Sequence, residues 1–387
     1  MRIIHNTLLL GLLLVSYCSQ AMLVQKQHFE LAEFTTENGA VIKQVKTGWE
    51  AYGTLNEDKS NVILVTHFFS GTSHAAGKYT EQDPLPGYWD AIIGPGKAID
   101  TDKFYVISSD TLVNANVFDP NVITTGPASI NPATGKPYGL DFPVVTVGDF
   151  VEVQKALLDS LGIDKLYAVI GASMGSFQAI EWATRYPDKV ERLIPVIGTA
   201  YIDAWTAVKL ERWAYPIKTD PDWNDGNYYD KGQPTQGLIT ALAYIIQDAV
   251  FPAGFNLRYP VPATDKAPHT DIRATFSAWD QLMGHAAIRA DLQDANHILY
   301  LVRASQLFRA GMGDNWQDAV KRIKAKTLFL PATGDLLLYP AMAKTSMEAI
   351  NGPEQQTEYA EIPGIWGHLD GVVGIAAVAD KIRQFLN

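Results

Sequence analysis

Short apolar runs alternate with stretches of helical periodicity along most of this chain, and together the two patterns predict a parallel α/β architecture. Val62-Ile63-Leu64-Val65 is continuous and rich in β-branched side chains, as in a strand buried on both faces, and Phe104 to Ser108 repeats the pattern. Between Thr146 and Gly162 the apolar positions Val147, Phe150, Val151, Leu157, Leu158 and Leu161 follow helical spacing. Thr146, with Asp149 three residues on, opens that helix and Gly162 closes it. Leu166 to Ile170 predicts a strand, Met174 to Tyr186 a helix stopped ahead of Pro187, and Leu193 to Ile197 the next strand. From about Tyr201 to Gly313 the rhythm breaks into aromatic-rich helical segments interrupted by Pro and Gly, which predicts an inserted helical cap. Alternation resumes at Thr327 to Leu330 and Glu358 to Ile362, and Val372 to Phe385 predicts an amphipathic terminal helix.

The N-terminus follows a different pattern. Arg2, the apolar run Leu8 to Val15, and Ser19-Gln20-Ala21 predict a secretory signal over residues 1–21, with a mature chain starting near Met22. A membrane anchor is the competing reading, but spanning a bilayer takes roughly 20 apolar residues and this run is shorter. Lipidation at Cys18 is a further alternative, weakened by the bulk of Tyr17 before it. The expected organisation is therefore 1–21 signal, 22–200 and 314–387 sheet core, and 201–313 cap. Cys18 is the single cysteine, so cleavage leaves a chain without disulfides that depends on its core for stability. That fits a periplasmic or secreted protein. With 47% apolar and 19% charged residues in 387, there is ample material for such a core. The net charge of −11 disfavours nucleic acid and anionic membrane surfaces as partners.

The candidate chemistry starts at Gly171-Ala172-Ser173-Met174-Gly175, a Gly-x-Ser-x-Gly sequence lying between an expected strand and an expected helix. A strand turning that sharply strains its central residue and needs small neighbours, and the serine then stands at a helix N-terminus that favours negative charge. An alkyl hydroxyl is a poor nucleophile, so Ser173 requires a histidine base and a carboxylate to orient it, in the chain order serine, acid, histidine. Asp335 and His368 follow the last two expected strands and take those roles; Asp370 is the alternative acid, or a substrate contact. Such an arrangement predicts an α/β-hydrolase fold, a mostly parallel central sheet with helices on both faces and the cap inserted. Two backbone N–H groups are needed for the oxyanion, expected from Met174 and from Phe69 in His67-Phe68-Phe69-Ser70-Gly71. Trp205, Trp213, Trp223, Tyr228 and Tyr229 either line a substrate pocket or pack the cap. The eight histidines form no His-x-x-x-His pair, and Gly94-Pro95-Gly96 and Thr124-Thr125-Gly126-Pro127 lack the ending of a phosphate loop, so neither a metal nor a cofactor is assigned.

The chain resembles the homoserine O-acetyltransferase family. The matching segments include Tyr88-Trp89-Asp90, Ile93-Gly94-Pro95-Gly96, Thr125-Gly126-Pro127, Tyr138-Gly139-Leu140-Asp141-Phe142-Pro143, the Ser173 segment, Asp294-Ala295-Asn296 and Gly334-Asp335-Leu336-Leu337. The resemblance implies acyl transfer from coenzyme A to a hydroxyl through an acyl-serine, with Ser173, Asp335 and His368 as the triad, and a homodimer formed through the cap. Three departures bear on the acceptor. The helix after Gly237-Leu238 lacks the family's arginine; Leu369, rather than aspartate, follows His368; and an exported enzyme lacks acyl-coenzyme A. A small-molecule carboxylic ester hydrolysed by an exported enzyme without a membrane anchor is the expected substrate. A homoserine O-acetyltransferase-like transferase using an acyl-coenzyme A donor is the alternative, and a catalytically silent binding protein a third reading.

Overall fold

A computed structural model describes residues 22–259, 261, 268–313, 315–351 and 357–387; the signal expected at 1–21 lies outside the described residues. Among the described residues the strands, in chain order, are β1 (Gln27–Thr35), β2 (Val41–Tyr52), β3 (Val62–Thr66), β4 (Ile93–Gly94), β5 (Ile99–Asp100), β6 (Tyr105–Ser109), β7 (Ala168–Ala172), β8 (Arg192–Val196), β9 (Lys326–Phe329) and β10 (Thr357–Tyr359). Apart from β4 and β5, which pair with each other, they form one sheet in the order β1-β2-β6-β3-β7-β8-β9-β10. Only β1 with β2 and β2 with β6 are antiparallel. The apolar runs become the middle of this sheet because a parallel strand covered on both faces needs side chains that can be buried both ways. Every residue of β3 and β7 is buried, with Val65 opposite Ile170.

Successive side chains point to opposite faces, so the strands feed two apolar layers. Leu64, Val169 and Leu193 face one layer with the helices α1 (Val147–Ser160) and α2 (Met174–Arg185). Ile63, Val65 and Ile170 face the other with Trp89, Ile382 and Leu386. The fold is the α/β-hydrolase arrangement expected from the chain pattern. α1 begins as its sequence implied: Thr146 Oγ1 accepts the Asp149 N–H at 3.2 Å while Asp149 Oδ2 accepts the Thr146 N–H at 2.8 Å.

Between β8 and β9 come α3 (Ala204–Thr219), α4 (Thr235–Ala249), α5 (Pro252–Arg258), α6 (Ser277–Ala290), α7 (Ala295–Gln306) and α8 (Trp316–Val320), with no named strand among the described residues. α3 packs on α4 and α7, and α4 packs on α6. α9 (Pro340–Ile350) precedes β10.

Two elements differ from the sequence pattern. The antiparallel pair β1 and β2 stands at the sheet's edge with most of β1 exposed, so its alternation is largely polar and carries no buried-strand signal. The helix expected over Val372 to Phe385 is broken into α10 (Asp370–Val373), a 3₁₀ turn (Ile375–Val378) and α11 (Ala379–Leu386). Gly374 marks the break: a Cβ there would lie 2.8 Å from Asp370 Oδ1 and 2.9 Å from the Asp370 carbonyl oxygen.

Candidate active site

Ser173 is the single residue between β7 and α2, and its backbone takes φ 56° and ψ −121°. A non-glycine residue there is strained by about 1–3 kcal/mol and persists only where its surroundings fix it. Here the Ser173 N–H donates to the Val196 carbonyl oxygen of β8 at 2.9 Å. The flanking glycines are required by contact. A Cβ on Gly171 would sit 2.1 Å from Thr66 Oγ1, and one on Gly175 would sit 2.1 Å from the Thr66 carbonyl oxygen. β3, β7 and α2 thus close on each other at the nucleophile, with the positive end of α2 directed at it.

The three sequence-predicted polar groups converge. Ser173 Oγ lies 2.8 Å from His368 Nε2, and His368 Nδ1 lies 2.7 Å from Asp335 Oδ2. Asp335 Oδ1 accepts the N–H groups of Leu337 at 2.8 Å and Leu338 at 3.0 Å. A carboxylate at Nδ1 keeps the imidazole proton on that nitrogen, so Nε2 is free to accept from the serine hydroxyl. Asp335 is 1% exposed and Ser173 8%, so the chain of bonds runs from the interior to a cavity surface.

Phe69 and Met174 both border Ser173, and among the described residues neither backbone N–H is taken by another backbone group. The loop bearing Phe69 is fixed from behind. Buried His67 donates from Nδ1 to the Phe68 carbonyl oxygen at 2.8 Å and accepts the Thr111 N–H at Nε2, 3.2 Å away; burial lowers its pKa and keeps it neutral. Farther along the loop, Glu50 of β2 accepts from Tyr79 at 2.7 Å, Tyr52 at 2.9 Å and Ser73 at 3.1 Å, and pairs with His74 and Lys26, each at 3.0 Å. Burial alone would raise this carboxyl, but the His74 hydrogen bond and the Lys26 charge outweigh it and hold it at about 2.

A cavity of about 520 Å³ opens at Ser173 and His368. Its walls are mostly apolar, with Ile245 from α4, Ile288 from α6, Val250, Leu337 and Leu369 among them. Of the five cap aromatics singled out in the sequence, Trp213 faces this space. Trp205 is 64% exposed; Trp223 donates to Asn296 Oδ1 at 2.9 Å, and Tyr228 and Tyr229 donate to Asp294 at 2.8 and 3.1 Å. Those last three pack and pin the cap.

Asp370, expected at the substrate, does not line the cavity. Its Oδ2 accepts the Trp366 N–H at 2.9 Å, and it lies so close to Gly364 that a Cβ there would come within 2.1 Å of Oδ1. It therefore holds the loop bearing His368, and burial raises its pKa. The sequence reading missed Glu50, Lys26 and the cavity-lining Arg289. Each is an isolated charge in its own segment and becomes distinctive only through its neighbours in space. Among the described residues no group of three or more His, Cys, Asp or Glu side chains is placed to hold a metal ion.

Residues 108–356 match the alpha/beta hydrolase fold family. The crystal structure of esterase E22 superposes with a TM-score of 0.92 at 56% identity, covering 94% of this chain and all of that one. Homoserine O-acetyltransferase from Bacillus anthracis superposes with a TM-score of 0.91 at 38% identity, covering 95% of this chain and 98% of that one. The homoserine O-acetyltransferase of Methanococcoides burtonii is 36% identical over 372 residues, 95% of this chain and 74% of the relative.

Proposed function

Because the chain belongs to the homoserine O-acetyltransferase family of α/β-hydrolase-fold enzymes, we propose that it catalyses acyl transfer through an acyl-Ser173 intermediate, with water as the acceptor and a carboxylic ester as the substrate. The observation that carries this reading is the hydrogen-bonded line Asp335, His368, Ser173 ending at an apolar cavity. His368 Nε2 takes the hydroxyl proton as Ser173 Oγ attacks the ester carbonyl, and Asp335 stabilises the imidazolium that forms. The N–H groups of Phe69 and Met174 receive the charge that develops on the carbonyl oxygen. The proton passes from His368 to the departing alkoxide, and a water activated by the same nitrogen releases the acid.

Water, rather than homoserine, is favoured as acceptor by what surrounds the cavity. Leu369 lines it where the family resemblance implies aspartate, and among the described residues no carboxylate lines it to hold an amino group. Export points the same way, since acyl-coenzyme A is a cytoplasmic donor and residues 1–21 have the make-up of a secretory signal. The enzyme is accordingly a periplasmic or secreted one, and it pairs as a homodimer through the cap, where Trp205, Val208 and Tyr215 of α3 are exposed.

The mature protein is to be assayed with p-nitrophenyl acetate and, separately, with acetyl-coenzyme A plus homoserine. Ester turnover without homoserine-dependent thioester cleavage is expected, with a loss of at least about a thousandfold in Ser173→Ala. Thioester cleavage that requires homoserine and exceeds ester hydrolysis would overturn the choice of acceptor.

A further inference from the structure

We infer that the ester accepted by this cavity carries a carboxylate, and that Arg289 of α6 binds it; the inference rests on the ester-hydrolysing reading and specifies its substrate class. Arg289 lines the same cavity as Ser173 and His368. Its guanidinium makes no ion pair or hydrogen bond among the described residues, and its pKa is lowered by burial. A guanidinium stays protonated in a protein, so this is a standing positive charge on a largely apolar cavity wall with no counter-charge paired to it among the described residues. Such a charge is costly to keep, and the cost is recovered when a ligand brings the counter-charge.

The surroundings narrow the ligand. His285 lies one helical turn before Arg289 and lines the cavity with it and Ile288, so one face of α6 turns toward the reacting serine. His285 Nδ1 is paired with the Tyr259 hydroxyl at 2.9 Å, which fixes the ring on the wall that Arg289 also lines. Arg258, also on the cavity wall, adds a second cation. No acidic side chain lines the cavity among the described residues, although the whole chain carries a net charge of −11. The wall therefore reverses the sign of the molecule. The planar two-donor edge of a guanidinium matches the two oxygens of a carboxylate, and the absent acid leaves no partner for an ammonium group, so a simple carboxylate ester fits better than an amino acid ester.

Two matched ester pairs test this and locate the carboxylate. 4-Acetoxybenzoate against 4-acetoxybenzamide places it on the alcohol side; monophenyl succinate against phenyl butyrate places it on the acyl side. In one pair the charged ester is expected to lead in kcat/KM by at least about tenfold, the scale of a buried charge pair. Arg289→Met should reduce that ratio by a similar factor, and Arg289→Lys should keep part of it. Calorimetric binding of 4-acetoxybenzoate and monophenyl succinate to Ser173→Ala, with and without Arg289→Met, reads the same contact without turnover. Binding that depends on Arg289, with all four esters left intact by the wild type, would fault the hydrolytic reading alone. Where esters are turned over, absence of any preference for the charged member of either pair, or a preference that survives Arg289→Met, would overturn this one, as would absence of Arg289-dependent binding.

Discussion

The two oxygens of Asp335 do different work. Oδ1 takes the backbone N–H groups of Leu337 and Leu338, and Oδ2 faces His368. Asp335→Asn can satisfy the first with its carbonyl oxygen and must then present its NH₂ to His368 Nδ1. That drives the imidazole proton to Nε2, where it can no longer accept from Ser173. Activity on p-nitrophenyl acetate is expected to fall on the order of ten-thousandfold, while thermal unfolding shifts little because both backbone bonds survive. At this scale Ser173, His368 and Asp335, the proposed nucleophile, base and acid, were legible because each lies on a strand-to-loop junction in a fixed chain order. Asp370 looked equally chemical in sequence. Its carboxylate instead accepts backbone N–H groups in a tight loop, a role that depends on Gly364 and Gly374 folding back against it. Arg289 was illegible for the opposite reason, since an arginine on an amphipathic helix reads as a solvated charge until the cavity beside it is seen.

Elements matter here through how they fix the Phe69 loop. Glu50 ties β2 to Ser73, His74 and Tyr79, and Lys26 bridges it to Asp110, 3.2 Å away. With its folded pKa depressed from 4.5 to about 2, Glu50 contributes stability that is complete above about pH 4.5 and is lost as the pH falls toward 2. Thermal melts of the wild type between pH 7 and pH 2.5 should therefore lose stability faster than those of Glu50→Gln, which has no proton to take up there. Parallel slopes for the two proteins would remove Glu50 from the acid limb. The central strands were readable from their apolar runs because burial on both faces leaves no other choice of side chain. The same test fails for β1, which needs only one covered face, and for the last helix, whose apolar spacing continues through Gly374 although the chain leaves the helix there at φ −100° and ψ 0°.

For the whole molecule, the proposed dimer rests on the apolar row on α3. Val208 is 70% exposed between Trp205 and Tyr215, each 64% exposed, which is unusual for a surface that meets only water. Light scattering on the wild type is expected to give the mass of a dimer, and Val208→Glu that of a monomer, since a carboxylate buried at a self-complementary contact meets its own copy. The run of helices between β8 and β9 leaves a trace in sequence as a loss of strand runs, but its contribution to the cavity does not, because Ile245, Ile288 and Arg289 are set opposite Ser173 only by the packing of α4 against α6. The reacting groups stand on loops of the sheet domain, while much of the facing wall belongs to the inserted helices. A small tilt of those helices would widen or narrow the chamber and leave the proton-transfer line intact. Substrate size and charge can thus drift over evolutionary time through positions that never meet the scissile bond, so related proteins with the same three reacting side chains can serve unlike metabolites.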